Sequence, residues 1–420
     1  MRIQSNIQRI QRDIEALAQF TASPGEGVTR FSFTAEDRQA REYIKNQMAA
    51  SHLKVYEDAA GTIIGRREGS QRCAPVVMIG SHFDSVKRGG PFDGPAGVVA
   101  ALEIARVLDE NRIITANPLE FIAMIEEEGG RFGAGLFGSR AMAGKIPPGE
   151  LLNFHDDAGI SVARAMQDFG LDPEALLSAV RSPDQLKAFL ELHIEQGPIL
   201  EKTGIDVGLV ETVVGIEQWE IEIQGRPDHA GTTPMNMRAD ALVAAADVVK
   251  HIYSLASQSE AGTVATVGKF QVMPGAGNIV PGKAIFTVDI RSDNATDIQQ
   301  LSESIQGFLS SLDKEYPGIS TRMSPVLSID PTPLSSDILQ LLEEEAGFSG
   351  ITSRRMRSGA GHDAMVMASL TEVGLVFVPS RDGRSHCPEE WTDYHKLKKG
   401  VDLLLQAALR LAVTDYSCND

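Results

Sequence analysis

Apolar residues at positions 3, 7, 10, 14 and 17 recur at helical spacing, with polar residues between them, which predicts an amphipathic helix ended by Gly25 and Gly27. Thr34-Ala-Glu-Asp37 opens a second helix, with a hydroxyl cap and acids in its first turn. Short apolar runs then alternate with helical patterns. Residues 53–57 and 62–66 read as paired strands around a turn at Gly61. Strands are also predicted over 75–79, 119–125, 188–194 and 374–379, and buried or closing helices over 98–108, 335–346 and 394–413. Residues 131–187 read as helical and loop-rich, with Pro147-Pro148 as a break. Strands alternating with helices imply an α/β domain on a largely parallel sheet.

The pattern changes near residue 209. Residues 213–224 alternate apolar and polar, as in Trp219-Glu-Ile-Glu-Ile-Gln, the mark of a sheet with one solvated face. A helix over 236–258, strands over 263–272 and 284–290, a helix over 295–313 and a strand near 319–327 complete the order β-α-β-β-α-β of a small ferredoxin-like module. The chain therefore reads as a discontinuous α/β domain, residues 1–208 and 327–420, with an inserted α+β module at 209–326.

Composition adds limits rather than fold. With 420 residues there is room for two cores. A formal net charge of −18 argues against a broad nucleic-acid surface or an anionic membrane partner. No stretch approaches the ~18 apolar residues of a membrane span, and the first ten residues lack a signal peptide's apolar core. Cys73, Cys387 and Cys418 are scattered, so neither a disulfide framework nor a cysteine zinc site is signalled. A cytoplasmic protein is the expectation.

The chemistry gathers at predicted strand ends. Gly-Ser-His-Phe-Asp-Ser-Val (80–86) and Gly-Gly-Pro-Phe-Asp-Gly-Pro-Ala-Gly (89–97) carry His82, Asp84 and Asp93 between a strand and a buried helix. Imidazole nitrogen and carboxylate oxygen suit a divalent metal. Asp84 is placed to orient the His82 ring, and the two oxygens of Asp93 could bridge two ions. Taken alone, this stretch reads equally as a glycine-rich phosphate loop or a plain turn. Glu126, Glu127 and Glu128 end the 119–125 strand, where three adjacent carboxylates repel one another unless a cation meets them. Neighbours on an extended backbone face opposite ways, so one ligand beside one general base is the economical reading. His193 sits in the 188–194 strand and His386 follows the 374–379 strand. His52, His155, His251 and His395 fall on helices or loops without acidic neighbours and read as surface residues. Cys387 beside His386 could be a reactive thiol, but its plainer reading is a buried one.

These stretches, with Glu-Leu-His-Ile-Glu-Gln-Gly-Pro (191–198), Asp-His-Ala-Gly-Thr-Thr-Pro-Met (228–235) and Ser-Gly-Ala-Gly-His-Asp-Ala (358–364), resemble the hydantoinase/carbamoylase branch of the dinuclear-zinc amidohydrolases and aminoacylase-like peptidases. The resemblance covers nearly the whole chain. It implies an aminopeptidase-like (zinc exopeptidase) fold with an inserted ferredoxin-like dimerisation domain. It implies two divalent metal ions, Zn²⁺ or else Mn²⁺, Co²⁺ or Ni²⁺, one held by His82, Asp93 and His193 and the other by Asp93, Glu128 and His386. It further implies Glu127 as general base, and His229 as oxyanion donor reaching a neighbouring subunit's site. Gln196, Asn278 and Arg291 match substrate-contacting positions. The implied reaction is hydrolysis of an N-carbamoyl-L-amino acid to ammonia and carbon dioxide. Allantoate is the nearest competitor, and β-ureidopropionate, N-acyl amino acids and dipeptides are weaker ones. Gly130 and Thr62 depart from the family's usual residues, Ser or Ala and Asn, and neither is among the implied ligands.

Overall fold

The computed structural model describes residues 3–71, 73–147, 149–259 and 262–413. Pro148 and Cys418 lie outside these residues. The chain divides into two compact units, one of residues 1–211, 334–356 and 361–420 and the other of residues 212–333 and 357–360.

The larger unit begins with α1 (Ile7–Ala18), capped by the Asn6 side chain, and α2 (Ala35–Ala50), capped by Thr34. There follow β1 (Lys54–Glu57), β2 (Ile63–Arg67), β3 (Val76–His82), α3 (Pro95–Glu110), β4 (Leu119–Met124), β5 (Leu186–Ile194) and β6 (Val207–Val213). After the second unit the chain adds the helix Ser336–Ser349, β12 (Ser353–Ser358), β13 (Glu372–Val378) and the helix Tyr394–Val413.

The sheet runs β1-β2-β4-β3-β5-β13-β6, with β12 also on β6. Its centre, β4-β3-β5-β13, is parallel, whereas β1 with β2, β2 with β4 and β13 with β6 pair antiparallel. This corrects the expectation of a largely parallel sheet. β1 and β2 turn back on each other through the short connection 58–62, as antiparallel neighbours do, whereas β2 and β6 meet partners distant in sequence. The parallel centre is what the apolar runs encode, because every residue of β3 and β4 is buried, as covering on both faces demands. Four parallel strands point their carboxyl ends to one edge, where a crevice for ligands forms.

α3 lies close on that centre. It is buried from Pro95 to Leu108, and a Cβ added at Gly97 would meet the Leu192 carbonyl oxygen at 2.4 Å and Ser81 Cβ at 2.5 Å. The lack of a side chain at 97 therefore sets how near the helix comes to β3 and β5.

The second unit contains β7 (Gly215–Gln224), the helix Ala241–Gln258, β8 (Val264–Met273), β9 (Lys283–Ser292), the helix Ala295–Leu309, β10 (Ser320–Ile329) and the short β11 (Thr332–Pro333). Its antiparallel sheet has the order β10-β7-β9-β8, and the two helices bury Ala244, Val248, Ile298 and Ile305 in the same core as Ile221, Phe286 and Val288. The helix anticipated over 295–313 stops at Leu309 and a separate turn, Leu312–Glu315, follows.

No described helix is long and apolar enough to cross a membrane. Cys387 is a free thiol and only half-buried, not buried as anticipated, whereas Cys73 is in a disulfide, which the scattered spacing had not signalled.

Gly97→Ala should lower stability by about 1–3 kcal/mol, the usual cost of overpacking. Gly307→Ala, in a helix with open space around it, should be neutral or slightly stabilising. Urea titration of both variants checks this, and an unchanged midpoint for Gly97→Ala would contradict the close approach of α3.

Candidate functional site

Four strand ends supply the side chains. His82 is the last residue of β3, His193 the penultimate residue of β5, Glu126–Glu128 follow β4, and His386 follows β13. Asp93 comes from the loop between β3 and α3. The edge is bent to make this fit: Glu126, Gln196 and His386 hold positive φ values of 52°, 57° and 56°, a region non-glycine residues seldom adopt and one that recurs at functional sites. Gly94 (φ +79°) beside Asp93 leaves room for the His82 ring, because a Cβ there would lie 2.3 Å from it.

Asp93 stands at the middle. Its Oδ1 lies 3.1 Å from His193 Nε2 and 3.8 Å from His82 Nε2. Its Oδ2 lies 3.3 Å from His386 Nε2, which is 3.4 Å from Glu128 Oε2. Glu127 Oε2 is 3.8 Å from His82 Nε2. Three sets of side chains thus offer ligand atoms within 4.8 Å of one another: His82, Asp93 and His193; Asp93, Glu128 and His386; and His82, Glu127 and Glu128. The first two sets share Asp93. Imidazole and carboxylate donors of this kind fit a borderline divalent ion, and Glu128 Oε1 is buried with no hydrogen-bond partner among the described residues.

Asp84 does more than its place beside His82 indicated. Its Oδ1 is 3.6 Å from His82 Nδ1, and its two oxygens accept the backbone N–H groups of Glu127 (3.1 Å) and Glu128 (3.2 Å). One carboxylate therefore fixes both acidic neighbours. Gln196 Nε2 donates to Asp93 Oδ2 at 2.7 Å.

Protonation follows from burial and from crowding. Burial pushes Glu127 well above the usual carboxylate range, His82 opposing and Glu128 reinforcing the shift. Burial likewise raises Glu128 to about 7, helped by Asp93. His386 is pushed up to about 9, first by its contact with Asp93. Burial disfavours charge on His82 and His193, yet Glu127 and Asp84 raise His82, and Asp93 raises His193. Burial opposes charge on Asp93 too, but His193 and His386 hold its carboxyl well below the usual range.

The remaining candidates belong to the second unit, which brings two of them together and separates the third. His229 and Asn278 are neighbours across an isolated bridge between His229 and Ile279, and the Ala230 N–H donates to the Asn278 carbonyl. His229 is exposed and its Nδ1 accepts the Gly231 N–H at 3.0 Å, so in the neutral ring Nε2 carries the proton and can donate. Arg291 is near the far end of β9, about 27 Å of strand from Lys283 at the end beside Asn278. It is held by Asp289 (2.8 Å) and the Gly359 carbonyl (2.7 Å).

Sequence reasoning passed over a polar layer behind the site. Glu191, wholly buried, accepts the Ser81 hydroxyl (2.7 Å) and the Ala364 N–H (2.9 Å). His362 is buried with its ring centroid 4.5 Å from that of His193, and Asp363 accepts the Ser139 hydroxyl at 2.6 Å. An acid interrupting the apolar 186–194 strand, and the Gly-His-Asp-Ala stretch, were the available signals. Of the histidines read as surface residues, His52 has an acidic partner after all, with Nδ1 2.9 Å from Asp109 Oδ2.

A sheet that collects imidazoles and carboxylates at the ends of its parallel strands defines a hydrolase of the metal-centred α/β class. Comparison with known proteins agrees. Residues 78–410 match the peptidase family M20/M25/M40. An N-carbamoyl-L-amino-acid amidohydrolase of Paenarthrobacter aurescens is 46% identical over 95% of this chain and 96% of its own length. An allantoate amidohydrolase of Escherichia coli (strain K12) is 33% identical over 96% of this chain and 98% of its own. The crystal structure of an amidase of the hydantoinase/carbamoylase family from Burkholderia multivorans matches with a TM-score of 0.90 at 32% identity, covering 99% of this chain and all (100%) of that one. The chain belongs to the peptidase family M20/M25/M40 and, within it, to the hydantoinase/carbamoylase amidases.

Metal ligands must shed their protons. With Glu128 titrating near 7 and His386 near 9 in the metal-free protein, divalent-ion affinity should rise steadily from pH 6 to pH 9, with protons released on binding. Calorimetric Zn²⁺ titrations in buffers of different ionisation enthalpy test this. Affinity independent of pH, with no proton release, would contradict it.

Proposed function

We propose that this protein hydrolyses the carbamoyl C–N bond of an N-carbamoyl-L-amino acid, giving the free amino acid, ammonia and carbon dioxide. The observation that carries the proposal is the Asp93 carboxylate, set between two imidazole-and-carboxylate groups with Glu127 alongside. His82, Asp93 and His193 would hold one divalent ion, and Asp93, Glu128 and His386 a second; Zn²⁺ suits this donor set, as do Mn²⁺, Co²⁺ and Ni²⁺. Such ions supply Lewis acidity toward the carbonyl oxygen and a water of lowered pKa.

The chain's own groups do the rest. Glu127 takes the proton of the attacking water and returns it to the leaving nitrogen, which then departs as an amine. Its raised affinity for a proton suits this exchange. The carbamic acid left behind divides into ammonia and carbon dioxide. Asp84 positions Glu127 through the backbone. His229 donates through Nε2 to the oxygen that gains charge in the transition state, and Gln196 and Asn278 contact the ureido group. Arg291 grips the substrate carboxylate with parallel N–H bonds. Because Arg291 and the His229–Asn278 pair lie at opposite ends of one sheet, a small substrate cannot touch both within one inserted unit. We therefore assign His229 and Asn278 to the site of a second copy, in a homodimer formed through that unit.

Three measurements test this reading. Ammonia release is assayed over N-carbamoyl-L-amino acids, N-carbamoyl-β-alanine, allantoate, N-acetyl amino acids and dipeptides. The expected result is turnover of the carbamoyl amino acids; turnover of allantoate alone would move the enzyme to purine degradation. Glu127→Gln should lose at least about 100-fold in kcat, the scale of general acid–base catalysis, at unchanged metal content. Retained turnover would remove Glu127 from the mechanism. Light scattering of the active enzyme should give a dimer, and activity in a monomer would exclude the role of His229 in a partner's site.

A further inference from the structure

Glu390 has no place in the mechanism above, yet its carboxylate is 2% exposed and fully engaged. Its Oε1 accepts two backbone N–H groups, from Phe92 at 2.8 Å and Asp93 at 3.0 Å. The Ser385 hydroxyl, with one proton to give, lies 2.5 Å from Asp93 Oδ2 and 2.9 Å from Glu390 Oε2, and so sits between the two carboxylates. A side chain nearly 300 residues away in sequence thus holds the backbone of the shared carboxylate and, through one serine, its outer oxygen. Ser385 also precedes His386, so the chain segments carrying Asp93 and His386 meet at Glu390.

The surroundings are shaped for this contact. A Cβ at Gly90 would lie 2.2 Å from Glu390 Cβ, so only glycine leaves space for it. Docking of the two segments does not depend on the carboxylate, since Phe92 packs on Trp391 (5.4 Å between ring centroids) and on Tyr394 (5.7 Å). What Glu390 adds is direction: it sets the plane in which the Asp93 carboxylate presents one oxygen toward His82 and His193 and the other toward His386. Groups of this kind behind metal ligands tune affinity strongly.

We propose that Glu390, acting through the Phe92–Asp93 backbone and the Ser385 hydroxyl, is the positioning residue that sets the geometry of Asp93 as the ligand shared by two divalent ions. This rests on the metal reading of the site. Glutamine at 390 keeps an oxygen for the two backbone N–H groups, and its amide donates to Ser385 Oγ, which leaves the serine proton for Asp93. Alanine keeps neither contact.

The test is Zn²⁺ titration, against a chromogenic chelator, of metal-free wild-type protein and of Glu390→Ala, Glu390→Gln and Ser385→Ala. Wild type should bind two Zn²⁺. Glu390→Ala, with wild-type circular dichroism, should bind at least one of them about 10–100-fold more weakly. Ser385→Ala should also weaken binding, and Glu390→Gln should recover most of the loss. Wild-type affinity in folded Glu390→Ala, or a Glu390→Gln as weak as alanine, would overturn the proposal. If alanine at 390 prevents folding, Ser385→Ala decides, and wild-type affinity there overturns it. Fewer than two Zn²⁺ bound by wild type would overturn the metal reading itself, and this proposal with it.

Discussion

Charge crowding at one edge of the sheet is the constraint on which the rest depends. Asp84, Asp93, Glu127 and Glu128 converge with His82, His193 and His386 at the rim of the sheet, with His82, Asp84, Asp93 and His193 buried, Glu127 and Glu128 half-buried and His386 exposed. Buried carboxylates in such a group cannot all ionise without compensating positive charge. Burial first, and neighbouring carboxylates after it, raise the proton affinity of Glu127 and Glu128, and the contact with Asp93 raises that of His386. A pair of divalent cations would satisfy the same groups more completely. The parallel centre brings the strand ends level, α3 closes over Ser81 because residue 97 has no side chain, and residues at positive φ turn the last side chains inward.

The supporting polar groups are arranged in depth. Asp84 fixes the backbone of the two glutamates, Gln196 and Ser385 reach the outer oxygen of Asp93, and Glu390 ties the Asp93 segment to the His386 segment. Behind them Glu191 and Asp363 take hydroxyl donors from Ser81 and Ser139. Each contact orients an acid that would be costly to bury unpaired. The site is therefore built by the whole edge of the sheet rather than by its innermost residues.

Much of this was legible in the sequence because the signals were local. Continuous apolar runs announced the buried parallel strands, and alternation announced the half-solvated sheet that begins at Gly215. His82, Asp93, Glu127, Glu128, His193 and His386 stood out as polar groups at the ends of apolar strands or in the loops that follow them. Other features depended on partners distant in sequence and had no local signature. Glu390 reads as one acid in an acidic stretch until Phe92 and Asp93 are brought to it. Glu191 looks like an anomaly in a strand until Ser81 faces it. The β1–β2 hairpin was legible from its turn, but the antiparallel pairing of β2 with β4 and of β6 with β13 was not, because strand direction depends on partners distant in sequence. The opposite placement of Arg291 and His229 emerged only from the register of β9.

Anomalous diffraction from crystals of the zinc-loaded protein, recorded at the zinc edge, tests the central claim most directly. Two peaks are expected, one on each side of the Asp93 carboxylate at about 2.0–2.2 Å from its oxygens, the first against His82 and His193 and the second against Glu128 and His386. A single peak, or zinc bound away from Asp93, would contradict it.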